Sequence, residues 1–266
     1  MPLRRAAEPD QIALALAQIA ARAGVAVMDV YDSDFEARAK SDKSPVTDAD
    51  ERAEAIILEA LESIFPGIPV LAEEQFEAGV RPDTEDHFFL VDPVDGTREF
   101  VNRNGEFTVN IALIHHRRPI AGCVFAPALK RLYCGGGRAY AGPVSAGDDV
   151  RENLLVPVSG RDRIGKDLVA VMSRSHLDDE TKAWADQAGV TDAVSAGSSL
   201  KFCLLAEGKA DVYPRFGPTM EWDTAAGHAV LHAAGGHVIR PDGTDFLYGK
   251  AEAGYRNGPF IAKARR

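Results

Sequence analysis

The residues best suited to chemistry lie at positions 90–100, LVDPVDGTREF. Asp92 and Asp95 follow an apolar, β-rich run, and the proline between them interrupts the strand ladder, so both carboxylates can converge on one point. The carbonyl of Val94 can turn inward beside them. Carboxylate and carbonyl oxygens are the ligands that Mg²⁺ prefers. The stretch therefore predicts a metal site at the end of a buried strand.

The residues after Asp95 are suited to binding phosphate at the same point. A short helix that begins at Thr97 would direct its free backbone N–H groups and its dipole there. The same letters also occur in ordinary turns. The segment RPDGTDF at 240–246 repeats them with one aspartate and no buried strand before it, so we interpret that copy as a plain turn.

Three further acidic features accompany this stretch. Glu73 and Glu74 end the run PVLA, Asp50 heads a predicted helix, and Asp223 follows Trp222 at another predicted helix start. Each alone has an ordinary explanation, as a solvated turn, a helix-capping acid or an N-cap. These acidic residues can form one site only if the fold brings them together.

The hydrophobic pattern predicts the elements that position these residues. Apolar spacing at i, i+3 and i+4 predicts two helices that pack together, at 10–32 and 48–64, with Asp48 as the cap of the second. Short β-rich runs predict strands at IPVLA, HFFLVDP, a meander from 106 to 140 whose HHRRP turn is exposed, DLVAVM, KADVYPRF and HVIR. Further helices are predicted near 178–188 and from about 224 to 234.

A polar stretch at 141–155 predicts a boundary between two lobes, residues 1–155 and 156–266. Strands and helices alternate after it, whereas strands dominate just before it. Patterning alone therefore predicts a mixture of α and β structure in two parts.

Composition excludes several classes of protein. With 266 residues and a net charge of −10, the chain lacks the basic surface that a nucleic-acid polymer needs. Three cysteines without a CxxC pair indicate neither a disulfide framework nor a zinc knuckle. The Ala-rich run at 12–19 is interrupted at helical intervals, so we interpret it as an amphipathic helix and not as a signal peptide. We expect a cytoplasmic chain without integral membrane association.

Other catalytic motifs are absent or incomplete in the sequence. His228 and His232 have i, i+4 spacing but lack the glutamate of a zinc H-E-x-x-H motif, so packing or surface positions explain them better. The run Gly135–Gly137 lacks the Lys-Ser/Thr ending of a phosphate-binding P-loop. There is no G-x-S-x-G elbow for serine chemistry.

The segments SPVTDAD, AEE, DPVDGTREF and WDTAAGHAV together resemble the inositol monophosphatase superfamily of Mg²⁺-dependent, lithium-sensitive phosphatases. Two longer stretches, at 91–114 and 197–230, look like the 3′(2′),5′-bisphosphate nucleotidases of the CysQ type. The resemblance implies a layered αβαβα sugar-phosphatase fold, with an α+β N-terminal lobe and an αβα C-terminal lobe. It also implies hydrolysis of adenosine 3′,5′-bisphosphate, a by-product of sulfate activation, to AMP and phosphate.

Carried over by position, the resemblance implies a role for each site residue. Two or three Mg²⁺ ions are bound by Glu73, Asp92, the Val94 carbonyl, Asp95 and Asp223. The catalytic residues are Asp50, Glu73 and Thr97, of which Asp50 and Thr97 orient the attacking water. Substrate is bound by the backbone of Gly96 and Thr97 and by His176, Ser198, Lys201 and Arg215. No covalent phosphoenzyme is implied.

Two kinds of alternative stay open from the sequence. Within the same class, the enzyme could act on inositol-1-phosphate or fructose-1,6-bisphosphate. In another class, a non-catalytic sensor would bind phosphorylated ligands, although sensors are expected to lose acidic ligands and this chain retains every matched one. We expect a small phosphorylated molecule as partner. A homodimer and peripheral association with the inner membrane, known for some relatives, stay open.

Overall fold

The computed structural model describes residues 8–33, 38–39, 45–46, 48–84, 86–162, 167–172 and 178–265. Helices run over Pro9–Tyr31 (α1), Asp48–Ile64 (α2), Glu73–Glu77 (α3), Thr97–Val101 (α4), Asp179–Ala188 (α5), Leu200–Ala206 (α6) and Trp222–Ala233 (α7), with single 3₁₀ turns at Glu152–Leu154 and Ala251–Ala253. The predicted helices at 10–32, 48–64 and 178–188 are confirmed within a residue or two at each end, and the predicted 224–234 helix starts slightly earlier, at Trp222.

Strands in the first half of the chain are Arg38–Ala39 (β1), Pro45–Val46 (β2), Val70–Ala72 (β3), His87–Asp95 (β4), Thr108–His115 (β5), Arg118–Ala126 (β6), Arg131–Gly135 (β7), Ala139–Pro143 (β8) and Val156–Val158 (β9). Those in the second half are Leu168–Met172 (β10), Val190–Ser195 (β11), Val212–Arg215 (β12), Thr219–Met220 (β13), His237–Ile239 (β14), Arg256–Asn257 (β15) and Phe260–Lys263 (β16). The meander predicted from 106 to 140 is present as β5 to β8.

A seven-stranded sheet, in the order β3-β4-β5-β6-β7-β8-β9, forms the larger framework. β3 pairs in parallel with β4, and the remaining neighbours are antiparallel. Both faces are buried, because Phe89 and Val91 lie in one hydrophobic cluster while Phe88 and Leu90 lie in another. This explains why β4 is a continuous apolar run in the sequence, without the alternation of a strand that has one face in water.

Helices and a second sheet complete the layers. α1 and α2 pack on one face of the large sheet, and α6 and α7 pack on the other. A five-stranded sheet, in the order β11-β10-β12-β16-β14, covers α6, and α5 lies against its strands β11 and β12. The order of layers is thus helix, sheet, helix, sheet, helix, which confirms the layered αβαβα architecture.

The large sheet approaches α7 so closely that β6 needs a glycine. A Cβ added at Gly122 would lie 2.7 Å from the Ala229 Cβ and 3.0 Å from the Ala226 carbonyl oxygen. The close approach brings the start of α7, and Asp223 with it, near the end of β4.

Gly122→Ala is expected to lower the free energy of unfolding by about 1–3 kcal/mol, because overpacking forces the helix away from the sheet. Gly258→Ala is the matched control, since the nearest atom to an added Cβ there is the Arg240 Nη2 at 3.8 Å. Urea unfolding of both variants measures the difference. Equal unfolding midpoints for the two variants would show that α7 does not need this close contact.

Several local expectations need correction. Asp48 is the first residue of α2, so it does not occupy the predicted N-cap position. Glu73 and Glu74 open α3, which excludes the alternative explanation of a solvated turn. Pro93 interrupts the ladder as predicted, because the pairing of β4 with β5 is irregular between Asp92 and Asp95, and the strand ends only at Asp95. β9 joins the large sheet at residues 156–158, past the boundary predicted at 155, and the division into lobes stays a prediction.

α1 alone among the described helices has the length and apolar composition of a membrane span, with a mean hydropathy of 1.5. Most of its apolar residues, however, are buried in the cluster between α1, α2 and the large sheet. The core position accounts for the apolar composition of this helix.

Candidate active site

The end of β4 is shaped by a bulge. Asp92 pairs with Asn110 and Asp95 pairs with Thr108, so two residues of β4, Pro93 and Val94, lie opposite one residue of β5. An extra residue of this kind bends the strand and redirects its side chains. Asp92 is only 2% exposed, whereas Asp95 is half-buried. The bulge therefore lets two aspartates three residues apart share one end of the strand.

Gly96 turns the chain from β4 into α4. It has a left-handed conformation, with φ of 92°, and an added Cβ would lie 3.3 Å from the Glu99 carboxylate and 3.4 Å from the Glu106 carbonyl oxygen. Glycine adopts this conformation without steric cost. α4 then begins at Thr97, so the predicted short helix after the aspartates is confirmed.

Three other elements bring carboxylates to the same region. Asp50, 1% exposed, lies in the first turn of α2, and Glu73 is the first residue of α3. Asp223 lies in the first turn of α7, where its Oδ2 accepts a hydrogen bond from the Met220 N–H at 2.8 Å. Aspartates and glutamates from four separate segments thus meet at the end of the large sheet.

These carboxylates are close enough to perturb one another electrostatically. Burial raises the pKa of Asp92 well above its ordinary value, and repulsion from Glu73, Asp95, Asp223 and Asp50 raises it further. Burial followed by repulsion from Asp95 and Glu73 likewise raises the pKa of Asp223. Carboxylates that share a site cannot all ionise cheaply unless a cation compensates them.

The residues fit a divalent cation by their chemistry. Asp92 Oδ1 is buried without a hydrogen-bond partner, and an unpartnered carboxylate oxygen in an acidic cluster is a ready ligand for a hard cation. Within the described residues, no three acidic or histidine side chains already close around one point. Asp95 Oδ2 accepts hydrogen bonds from the Ser198 hydroxyl and the Asn110 amide.

In EDTA, raising the pH is expected to lower the free energy of unfolding. The folded-state pKa values of Asp92 and Asp223 are raised, and that of Glu54 rises to about 7, so the folded protein binds more protons than the unfolded chain and stability falls as pH rises. His228, whose pKa is lowered from 6.5 to about 3, acts in the opposite sense but only below pH 6.5.

Urea unfolding at a series of pH values between about 6.5 and 7.5 isolates the carboxylates, because the pKa of buried Lys201, lowered to about 8, gives the opposite dependence at higher pH. Saturating Mg²⁺ should reduce the loss of unfolding free energy with rising pH, because a bound cation favours the ionised carboxylates of the folded state. Asp92→Asn should also flatten the slope measured in EDTA. Stability that increases with pH in EDTA would contradict a repulsive acidic cluster.

The loop before α6 reaches across to the end of β4. Ser198, with φ of 52°, donates a hydrogen bond from Oγ to Asp95 Oδ2 at 2.6 Å and also contacts the Thr108 hydroxyl. Gly197 N–H donates to Glu106 Oε2 at 2.9 Å, and Ser199 Oγ donates to the Asp223 carbonyl at 2.8 Å. The loop thereby contacts β4 and α7, two of the four segments that carry the acidic cluster, and also the start of β5 and the residue Glu106 before it.

Lys201 and Arg215 place two cations beside this loop. Lys201 is 6% exposed and donates from Nζ to the Ser198 carbonyl at 2.6 Å, so it is not a solvated surface charge. Burial lowers the pKa of Lys201 to about 8. The negative charge of Asp95 opposes this shift, and the positive charge of Arg215 adds to it. Arg215 is half-buried and folds back onto the carbonyls of Gly217 and Pro218. Both cations are within electrostatic reach of the carboxylates.

Sequence reasoning missed two polar residues of β5. Thr108 and Asn110 are 0% and 1% exposed; Asn110 Nδ2 lies 3.4 Å from Asp95 Oδ2, and Thr108 Oγ1 donates to Asn110 Oδ1. Polar residues inside the otherwise apolar run TVNIALI were the available signal. His176, predicted to bind substrate, lies outside the described residues.

The residues for which the sequence argued against a catalytic or binding role have packing or surface positions. His228 is 8% exposed and its Nδ1 lies 3.0 Å from the Tyr248 hydroxyl, so it packs in the core, while His232 is exposed. Gly135 ends β7 beneath α7, where an added Cβ would lie 2.8 Å from the Val230 Cα. The segment RPDGTDF is an exposed turn in which Asp242 Oδ1 accepts hydrogen bonds from the N–H and the hydroxyl of Thr244.

The layered fold and its acidic cluster define a sugar-phosphatase-like α/β protein. The sequence profile of the inositol monophosphatase family matches residues 8–265, and the chain belongs to that family. Its most similar relatives include the 3′(2′),5′-bisphosphate nucleotidase CysQ of Salmonella typhimurium, 49% identical over 226 residues, which are 83% of this chain and 87% of the relative. The Escherichia coli K12 protein of the same name is 47% identical over 224 residues, with the same coverage.

Solved structures agree with this assignment. CysQ from Bacteroides thetaiotaomicron, a bacterial member of the inositol monophosphatase family, superposes with a TM-score of 0.80 at 37% identity, covering 96% of this chain and 97% of that one. Inositol monophosphatase from Anabaena superposes with a TM-score of 0.73 at 22% identity, covering 96% and 91%. The second comparison supports the fold alone.

Proposed function

We propose that this protein is a Mg²⁺-dependent phosphomonoesterase that hydrolyses adenosine 3′,5′-bisphosphate to AMP and phosphate. The observation that carries the proposal is the cluster of carboxylates around buried Asp92, with Lys201 and Arg215 beside it. Cations next to an acidic metal site suit a substrate that carries two phosphates, because one phosphate can bind the metals while the other meets the cations. The relatives named 3′(2′),5′-bisphosphate nucleotidase support the same substrate class.

In this proposal the N-terminal lobe, residues 1–155, holds most of the metal ligands, and residues 156–266 supply Asp223 and substrate selectivity. Two or three Mg²⁺ ions are held by Glu73, Asp92, the Val94 carbonyl, Asp95 and Asp223. When bound, they supply Lewis-acid chemistry that polarises the phosphoryl group and acidifies the nucleophilic water.

The chain's own groups bind and orient the reactants. Asp50 and Thr97 orient the attacking water, with Glu73 completing the catalytic set, and the backbone N–H groups of Gly96 and Thr97 bind the phosphate that is transferred. Arg215, Lys201 and His176 meet the other phosphate or the ribose. Ser198, whose hydroxyl already contacts Asp95, joins the substrate side to the metal side.

Specificity constants for three substrates test the proposal. We expect kcat/KM to be highest for adenosine 3′,5′-bisphosphate, compared with inositol-1-phosphate and fructose-1,6-bisphosphate, and we expect EDTA to abolish release from all three. Added Li⁺ should inhibit. A preference for inositol-1-phosphate would be consistent with the metal site but would refute the substrate-selecting role given to Lys201 and Arg215. Tight binding without turnover at saturating Mg²⁺ would indicate a sensor.

A further inference from the structure

Glu54 is a buried carboxylate to which the proposed reaction gives no role. It lies on α2, one helical turn after Asp50, and is 4% exposed. Its Oε2 accepts a hydrogen bond from the Glu74 N–H at 2.8 Å, and its Oε1 accepts one from the Gln75 N–H at 3.0 Å. Both oxygens of a buried side chain are thus directed at the first turn of α3, the helix that begins with Glu73.

The first turn of α3 has no cap of its own. The N-cap residue is Ala72, which has no side-chain acceptor, and no side-chain hydrogen bond from the N-cap is present. The first N–H groups of a helix lack partners within that helix, and a carboxylate there also interacts favourably with the helix dipole. Glu54 supplies both interactions from a different helix.

A carboxylate that binds two successive N–H groups fixes orientation as well as distance. α2 carries Asp50 four residues before Glu54, on the same side of the helix. The two hydrogen bonds therefore tie the backbone that carries Glu73 to the helix that carries Asp50. A small rotation of α3 would move the Glu73 carboxylate relative to both Asp50 and Asp92.

We propose that Glu54 is a positioning residue that holds α3 so that Glu73 can bind divalent cations together with Asp92. This inference rests on the proposed function only for the role of Glu73 as a ligand. Loss of a residue that orients a metal ligand through hydrogen bonds typically lowers metal affinity or activity by about 10–100-fold. Glu54 itself does not coordinate the ion.

Calorimetric titration with Mg²⁺ alone, on wild type and Glu54→Gln, tests the inference without substrate. Glutamine keeps the size of the side chain but replaces one acceptor by an NH₂ donor, so one of the two N–H groups loses its partner. We expect Mg²⁺ affinity to fall by about 10–100-fold. At saturating Mg²⁺, kcat should recover to within about threefold of wild type, because the ligands themselves remain.

Glu62→Gln is the matched control, since Glu62 lies on the exposed side of the same helix and its variant should bind Mg²⁺ like wild type. Glu54→Asp is a second variant in case glutamine prevents folding; it retains the charge with a shorter reach and should give an intermediate affinity. A folded Glu54→Gln protein with wild-type Mg²⁺ affinity and only a lower unfolding temperature would overturn the inference.

The two proposals fail in different ways. Wild-type protein that binds Mg²⁺ but releases no phosphate refutes the proposed function, while the comparison of Mg²⁺ affinities still decides the role of Glu54. Wild-type protein that releases phosphate, together with a Glu54→Gln variant that has the same Mg²⁺ requirement, refutes only the positioning role.

Discussion

Asp95→Asn is expected to lower the rate of phosphate release by about 10³-fold, which corresponds to about 4 kcal/mol of transition-state stabilisation. Asparagine keeps the shape of the side chain and can still accept the hydrogen bond from Ser198. It loses the negative charge, and a neutral amide oxygen binds Mg²⁺ more weakly than a carboxylate does. Steady-state phosphate release at saturating Mg²⁺ measures the effect.

The folded state of Asp95→Asn should not suffer. Asp95 raises the pKa values of Asp92 and Asp223, so removing its charge relieves repulsion in the absence of metal. We therefore expect an unfolding temperature in EDTA at least equal to that of wild type. Asp242→Asn is the control, since it alters the same Asp-Gly-Thr tripeptide in an exposed turn and should leave turnover unchanged. Full activity of Asp95→Asn would refute the assigned metal site.

Arg215→Ala is expected to reduce kcat/KM for adenosine 3′,5′-bisphosphate by about 30-fold, the equivalent of about 2 kcal/mol for one charged hydrogen bond. The loss for inositol-1-phosphate should be much smaller, because that substrate has no second phosphate for the guanidinium. The measurement is the ratio of the two specificity constants. Arg240→Ala, which removes an exposed arginine from the second half of the chain, should leave the ratio unchanged. Equal losses on both substrates would exclude a selective role for Arg215.

The elements that position the site were predictable where the local sequence pattern is typical of only one kind of secondary structure. α1 and α2 follow from helical spacing, and β4 follows from an apolar run that ends in carboxylates. The start of α4 at Thr97 follows from a glycine that can adopt a left-handed conformation before a helix. These features depend on neighbouring residues in the sequence.

The contacts between distant segments were not predictable from the pattern. Pro93 remains inside β4 because the ladder to β5 accommodates an extra residue, which no local rule specifies. Asn110 and Ser198 meet Asp95 from 15 and 103 residues away, and Glu54 meets the start of α3 from 20 residues away. Only the packing of α2, the large sheet and the loop before α6 creates these partners.

The family resemblance predicted the order of the layers and the roles of distant residues, which the hydrophobic pattern of the sequence could not predict. It predicted the αβαβα layers, which the structure confirms, and it assigned roles to Glu73 and Asp223, which the structure brings into one acidic cluster around Asp92. The assigned roles remain proposals.

Phosphorus NMR of adenosine 3′,5′-bisphosphate incubated with the protein, in Mg²⁺ and in EDTA, shows which phosphate is released and whether its release needs the metal. We predict that with Mg²⁺ the 3′-phosphate signal is replaced by inorganic phosphate while the 5′-phosphate persists, which gives AMP. In EDTA the spectrum should not change. Loss of the 5′-phosphate instead, release that is independent of Mg²⁺, or no release under either condition would contradict this account.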